Sequence, residues 1–132
     1  MCLLTACVTT INGVPKKPVQ PSLAETPETV MVYYYVKPDM AAVMQDLFAK
    51  AWAQYRKEGL VESSPHIITY SRDADGRDLF IEIYTWVNHA APGKVSPTIQ
   101  NLWNQMQSLC EIRDGHNGIV GGEVALVEPK GR

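Results

Sequence analysis

Glu82 is the residue of this chain whose type and setting could best do chemistry. It interrupts an apolar run, with Ile81 and Ile83 beside it and Phe80, Tyr84 and Trp86 at alternating positions. In an extended strand, that alternation places the carboxylate on one face with three aromatic rings. Such surroundings raise a carboxyl pKa and let the group act as a base near neutral pH. The competing structural reading is an ion pair at a subunit interface, with Arg72 as its partner across a hairpin. Three histidines, His66, His89 and His116, stand apart from one another. No two have the helical spacing of metal ligands, and no Cys or carboxylate pattern supports zinc, so neither a metal nor another cofactor is expected. His66 opens an extended run and is the best of the three for proton transfer. Trp86 and Trp103 can wall a flat ligand, and the hydroxyls of Tyr33 and Tyr35 can orient one; each of the four can equally fill a core. The loop Arg113-Asp114-Gly115-His116-Asn117-Gly118 reads as a connection with left-handed turn residues. No strand precedes it and no Lys–Ser/Thr pair follows, so it does not read as a phosphate loop.

Four strands and two helices must position these residues. From Pro38 to Lys57 the apolar positions Met40, Val43, Met44, Leu47, Phe48, Ala51, Trp52 and Tyr55 recur at helical period. From Pro97 to Glu111 the stripe is Ile99, Leu102, Trp103, Met106, Leu109 and Cys110. Pro38 and Pro97 suit the first turn of each helix, Ser96 suits an N-cap, and Gly59 suits the position after the first helix. Val30 to Val36 is β-branched and aromatic throughout and predicts a central strand. His66 to Ser71 and Leu79 to Val87 predict a hairpin closed by the cluster around Asp75-Gly76. Glu123 to Val127 is expected to be the last strand. The order βαββαβ implies a ferredoxin-like α+β fold, a four-stranded antiparallel sheet with both helices on one face. Both faces of the first and third strands are apolar, so the face without helices should meet a partner. Sheet-to-sheet packing in a homodimer is the simplest cover.

The chain has 132 residues, 45% hydrophobic and 20% charged, enough for one domain with one core. A net charge of -2 argues against a nucleic-acid partner. No apolar run approaches the roughly 20 residues needed to span a bilayer. Cys2, Cys7 and Cys110 form neither a metal spacing nor an even disulfide framework, and Cys110 reads as a core thiol. Leu4-Thr5-Ala6-Cys7 resembles a bacterial lipobox, in which Cys7 would carry the lipid. The segment before it is shorter than a complete signal peptide. The proline-rich stretch that follows suits a tether. The expected organisation is therefore a signal-like segment and tether over 1–28, a folded domain over 29–128 and a tail over 129–132. The expected location is the cell envelope as a lipoprotein, with the cytoplasm as the alternative.

The run Glu82-Ile83-Tyr84-Thr85-Trp86-Val87-Asn88-His89-Ala90, followed by Ser96-Pro97-Thr98-Ile99-Gln100, resembles the dimeric α/β-barrel superfamily. Within it, the resemblance is to antibiotic-biosynthesis-monooxygenase-like proteins. It implies a homodimer with a small hydrophobic pocket between sheet and helices in each protomer. Some members of that family oxidise polyphenolic compounds with oxygen and no metal or flavin, some degrade haem, and many have no known activity. Thr98 stands where many members have His, and no His follows in the second helix, so haem degradation is not expected. The expected function is a cofactor-independent, monooxygenase-like activity on a small aromatic or quinol compound. Glu82 or His66 would take the substrate proton, Tyr35 would orient the substrate and Trp86 would wall the pocket. The alternative is a non-catalytic homodimer of the same fold that binds a small ligand or serves as an interaction module.

Overall fold

The computed structural model describes residues 25–129; Cys7, most of the proline-rich stretch and the last three residues lie outside them. The elements are β1 (Glu28–Tyr35), α1 (Ala41–Lys57), β2 (Val61–Arg72), β3 (Asp78–Trp86), α2 (Pro97–Ser108) and β4 (Ile119–Glu123), with a 3-10 turn at Ala91–Lys94 before α2. The sheet order is β2-β3-β1-β4 and every neighbouring pair is antiparallel. This is the expected ferredoxin-like arrangement, with the aromatic strands β1 and β3 in the centre.

Register decides which side chains meet the helices. Val32 lies opposite Glu82, Tyr34 opposite Phe80 and Val30 opposite Tyr84. Those even-numbered residues share the face that packs on Met44, Leu47, Phe48, Ala51 and Tyr55 of α1 and on Ile99 and Met106 of α2. Met31, Tyr33, Tyr35, Ile81 and Ile83 therefore point away from the helices. The end of α1 is tied to the start of α2. Ser96 caps α2 by accepting from Ile99 N at 3.3 Å, and its hydroxyl and backbone N–H both donate to Glu58. Those bonds hold the Glu58 carboxyl below its usual range, with the Ser96 hydroxyl the largest cause.

Four boundaries differ from expectation. Pro38 lies outside α1, because Asp39 adopts φ 65° and turns the chain before the helix begins. Strand β2 starts at Val61 rather than near Pro65, with an irregular register between Val61 and His66. Helix α2 ends at Ser108, so Cys110 lies beyond it and bridges Val36, where it is still only 7% exposed. The last strand falls at Ile119–Glu123, four residues earlier than expected, because Val30 to Tyr34 pair with those residues. Its entry passes closely over the end of α2: a Cβ on Gly118 would stand 2.7 Å from Cys110 Cβ. Arg113, buried in that entry, donates to the carbonyls of Val36 and Asp78, both at 2.8 Å, and so clamps it to the ends of β1 and β3.

Candidate active site

Glu82 is 2% exposed and sits at the middle of β3, the second strand of the sheet, on the helix-covered face. A buried carboxylate needs partners, and it has two. Tyr34 Oη donates to Oε1 at 2.8 Å, and His66 Nε2 pairs with Oε2 at 3.0 Å. Arg72 is not a partner; it pairs with Asp78 at 3.8 Å, at the hairpin end of the sheet. Each partner of Glu82 comes from a strand beside β3, β1 on one side and β2 on the other. His66 is held flat against Trp52 of α1, with ring centroids 3.6 Å apart and planes 10° apart. Tyr34 packs edge-on to Phe48 at 4.8 Å. Burial, and next the negative charge of Glu82, push the Tyr34 phenol well above its ordinary value, so it remains protonated.

A cavity of about 360 Å³ opens between α2 and the sheet. Tyr34, Tyr84, Trp86 and Trp103 contribute aromatic wall, and Gln100, Asn104 and Gln107 of α2 contribute side-chain amides. Trp86 and Trp103 stand at right angles, 86° apart with centroids separated by 6.3 Å. The Trp103 indole N–H donates to Tyr55 Oη at 2.6 Å, which fixes the indole from α1. Burial keeps the Tyr84 phenol well above its ordinary value, with the neighbouring Tyr55 the next cause, so the wall is uncharged at neutral pH. An aromatic cavity of this size with convergent polar groups matches the usual form of a small-molecule site.

His66 does not line this cavity. It lines a shallower groove of about 530 Å³ between α1 and β2, together with Phe48, Trp52 and Tyr70. Glu82 is enclosed between the two spaces and reaches the cavity side through Tyr34 and the groove side through His66. Tyr33 and Tyr35 do not join the cluster. They lie on the opposite face of the sheet, 6.4 Å apart, where Tyr35 stacks on His116 at 5.9 Å beneath the Arg113 guanidinium. Sequence reasoning missed Tyr34, although its odd-even position beside Val32 and Val36 was visible. Three consecutive tyrosines carry no signal for which one faces inward. Trp52 was visible only as part of a helical stripe. At the far end of the sheet, Glu28, His89 and Glu123 bring ligand-type atoms within 4.8 Å of one another. That group shares no residue with the cavity, and two of its three members are exposed.

No known family model matches the sequence, and no curated protein matches it. Solved structures do match the fold. A variant of SnoaB, a cofactor-independent oxygenase from Streptomyces nogalater, superposes with TM-score 0.58 at 16% identity, over 80% of this chain and 98% of that one. Rv0793 from Mycobacterium tuberculosis gives 0.55 at 19% identity, over 80% and 99%. An antibiotic biosynthesis monooxygenase gives 0.55 at 16% identity, over 76% and 98%. The structural neighbours of this chain are thus antibiotic-biosynthesis-monooxygenase-like proteins, and at these identities what is shared is the fold.

Proposed function

We propose that the protein is a cofactor-independent, monooxygenase-like enzyme acting on a small aromatic or quinol compound held between α2 and the sheet. The observation that carries this reading is the aromatic cavity beneath α2, rimmed by amides and backed by a buried carboxylate. Trp86 and Trp103, at right angles to each other, wall a flat ring on two sides, Gln100, Asn104 and Gln107 take its polar substituents, and Glu82 is the base of the site. Removing a phenolic proton leaves an electron-rich ring that can give its electrons directly to oxygen. One oxygen atom then enters the ring as a carbonyl and the other leaves as water, so a phenol and O2 yield a quinone and water. A low-dielectric wall favours that proton transfer once the ligand has displaced water. The similarity of the fold to that of a cofactor-independent oxygenase supports this reading by analogy.

The test is oxygen uptake with a panel of hydroquinones and polyphenols, using wild type and Glu82→Gln. Uptake by wild type that the variant loses supports the reading. Uptake no greater than buffer across the panel favours instead a non-catalytic ligand-binding module of the same fold.

The active form in this proposal is a homodimer, joined through the helix-free face that carries Met31, Tyr33, Ile81 and Ile83. Envelope anchoring through a lipid on Cys7 completes it. No helix among the described residues is long and apolar enough to cross a membrane. Mass spectrometry of the native N-terminus decides that point: an intact Met1 or Cys2 in the mature protein ends it.

A further inference from the structure

Glu82 is too deeply enclosed to touch a ligand in the cavity, yet it is bonded to a residue that lines it. Tyr34, which lines the cavity and donates its hydroxyl to Glu82, is therefore the residue through which a bound molecule can reach the carboxylate. On the other side His66 occupies the second carboxylate oxygen, and it is locked against Trp52 and lines a different groove. We propose that Tyr34 is the catalytic group that takes the proton of a hydroxylated aromatic ligand while handing its own to Glu82, and that His66 is a positioning residue acting on Glu82 from the far side. This rests on the reading of the cavity as an aromatic-hydroxyl site, and it assigns the proton path within it.

The step balances. The ligand O–H bond breaks as a new O–H bond forms at Tyr34 Oη. Tyr34's former O–H bond breaks as one forms at Glu82 Oε1. Tyr34 is neutral before and after, and the negative charge moves from the carboxylate to the ligand oxygen. The geometry suits each role. Two bare acceptors would repel at the 3.0 Å between Nε2 and Oε2, so a proton lies between them. With that proton on Nε2, His66 donates to Oε2 and leaves Oε1 free to accept from Tyr34. The high pKa of Tyr34 fits a group that passes a proton on rather than standing as a phenolate.

The experiment uses the full chain and para-nitrophenol, whose anion absorbs in the visible, under nitrogen so that oxygen chemistry is excluded. Below the free probe's own ionisation, wild type is expected to raise the phenolate fraction of bound probe roughly tenfold over that in solution. The infrared difference spectrum on binding should gain the band of a protonated carboxyl, and Glu82→Gln should abolish it. Tyr34→Phe, which removes one oxygen and keeps the ring against Phe48, should bind the probe yet lose both signals. His66→Ala should weaken them, and His66→Gln, whose amide N–H replaces the Nε2 donor, should restore them. Near-UV circular dichroism establishes that each variant is folded. If Tyr34→Phe is not, the carboxyl band in Glu82→Gln carries the test. Ionisation undiminished in Tyr34→Phe overturns the proposal, as does a carboxyl band that survives Glu82→Gln, or no bound phenolate in wild type. Probe ionisation without oxygen uptake on any hydroquinone would leave the proton path standing and remove the oxygenase reading. Uptake that Tyr34→Phe leaves unchanged would do the reverse.

Discussion

Glu82, Tyr34 and His66 depend on one another for satisfied hydrogen bonds, and that dependence is measurable without any substrate. Glu82→Ala strands a buried phenol and an imidazole and leaves a void, which should cost about 3 kcal/mol in urea unfolding. Glu82→Gln keeps the volume and an acceptor and should cost only about 1 kcal/mol. A larger loss for Gln than for Ala would contradict this account of the network. Burial also sets the alkaline limit of the fold. It pushes the Cys110 thiol from 9.0 up to about 11, and it holds Tyr34 and Tyr84 well above 10.0. In each case the folded state keeps a proton that the unfolded chain releases. Stability is therefore complete below the unfolded values and falls as pH rises from 9.0 towards about 11 and beyond. Cys110→Ala should remove the first part of that fall and leave the tyrosine part, as read from unfolding free energies across the alkaline range. At this scale Glu82 was legible because a lone carboxylate among apolar residues is conspicuous. Tyr34 was not, because only pairing with β3 tells which of three adjacent tyrosines turns inward.

The elements were legible where a local signal marks them. Ser96 and Pro97 announce the start of α2, and Asp75-Gly76 announces the hairpin; both stand where expected, with Gly76 at φ 77°. Ser96→Ala removes the cap on Ile99 N and the hydroxyl bond to Glu58 at once. It should cost about 1 kcal/mol in thermal unfolding, while Ser96→Asp, which keeps a cap but faces Glu58 with a second charge, should recover only part of it. Equal stability of all three proteins would mean that the α1–α2 tie is idle. Strand β4 was displaced in the reading because its residues, Ile119-Val120-Gly121-Gly122-Glu123, include two glycines that look like loop. Gly121 serves close approach: a Cβ there would meet Val32 Cγ2 at 3.3 Å. Gly118→Ala is the sharper test, since its Cβ would overlap Cys110 Cβ, and it should lower the melting temperature more than Gly122→Ala, which meets nothing within 4 Å.

At the scale of the whole molecule, oligomeric state tests the role of the helix-free face of the sheet. Sedimentation of the wild type at micromolar concentration should give a dimer, and Ile81→Lys, on the outward face of β3, should give a folded monomer. A monomeric wild type would remove the argument from the apolar face. The sequence by itself determined the element order, the two amphipathic helices and the antiparallel α+β plan, because periodicity, caps and turn residues act over a few positions of chain. It also singled out Glu82, His66, Trp86 and Trp103. What only the tertiary structure decided is their grouping. Strand register placed Tyr34 rather than Tyr33 or Tyr35 beside Glu82, and packing put His66 in the groove beside α1 while Trp86 and Trp103 line the cavity beneath α2. Side-chain alternation has a period of two, so a one-residue choice of register exchanges the two faces of a sheet. That choice is made by residues far apart in the chain, and no local pattern in β1 contains it.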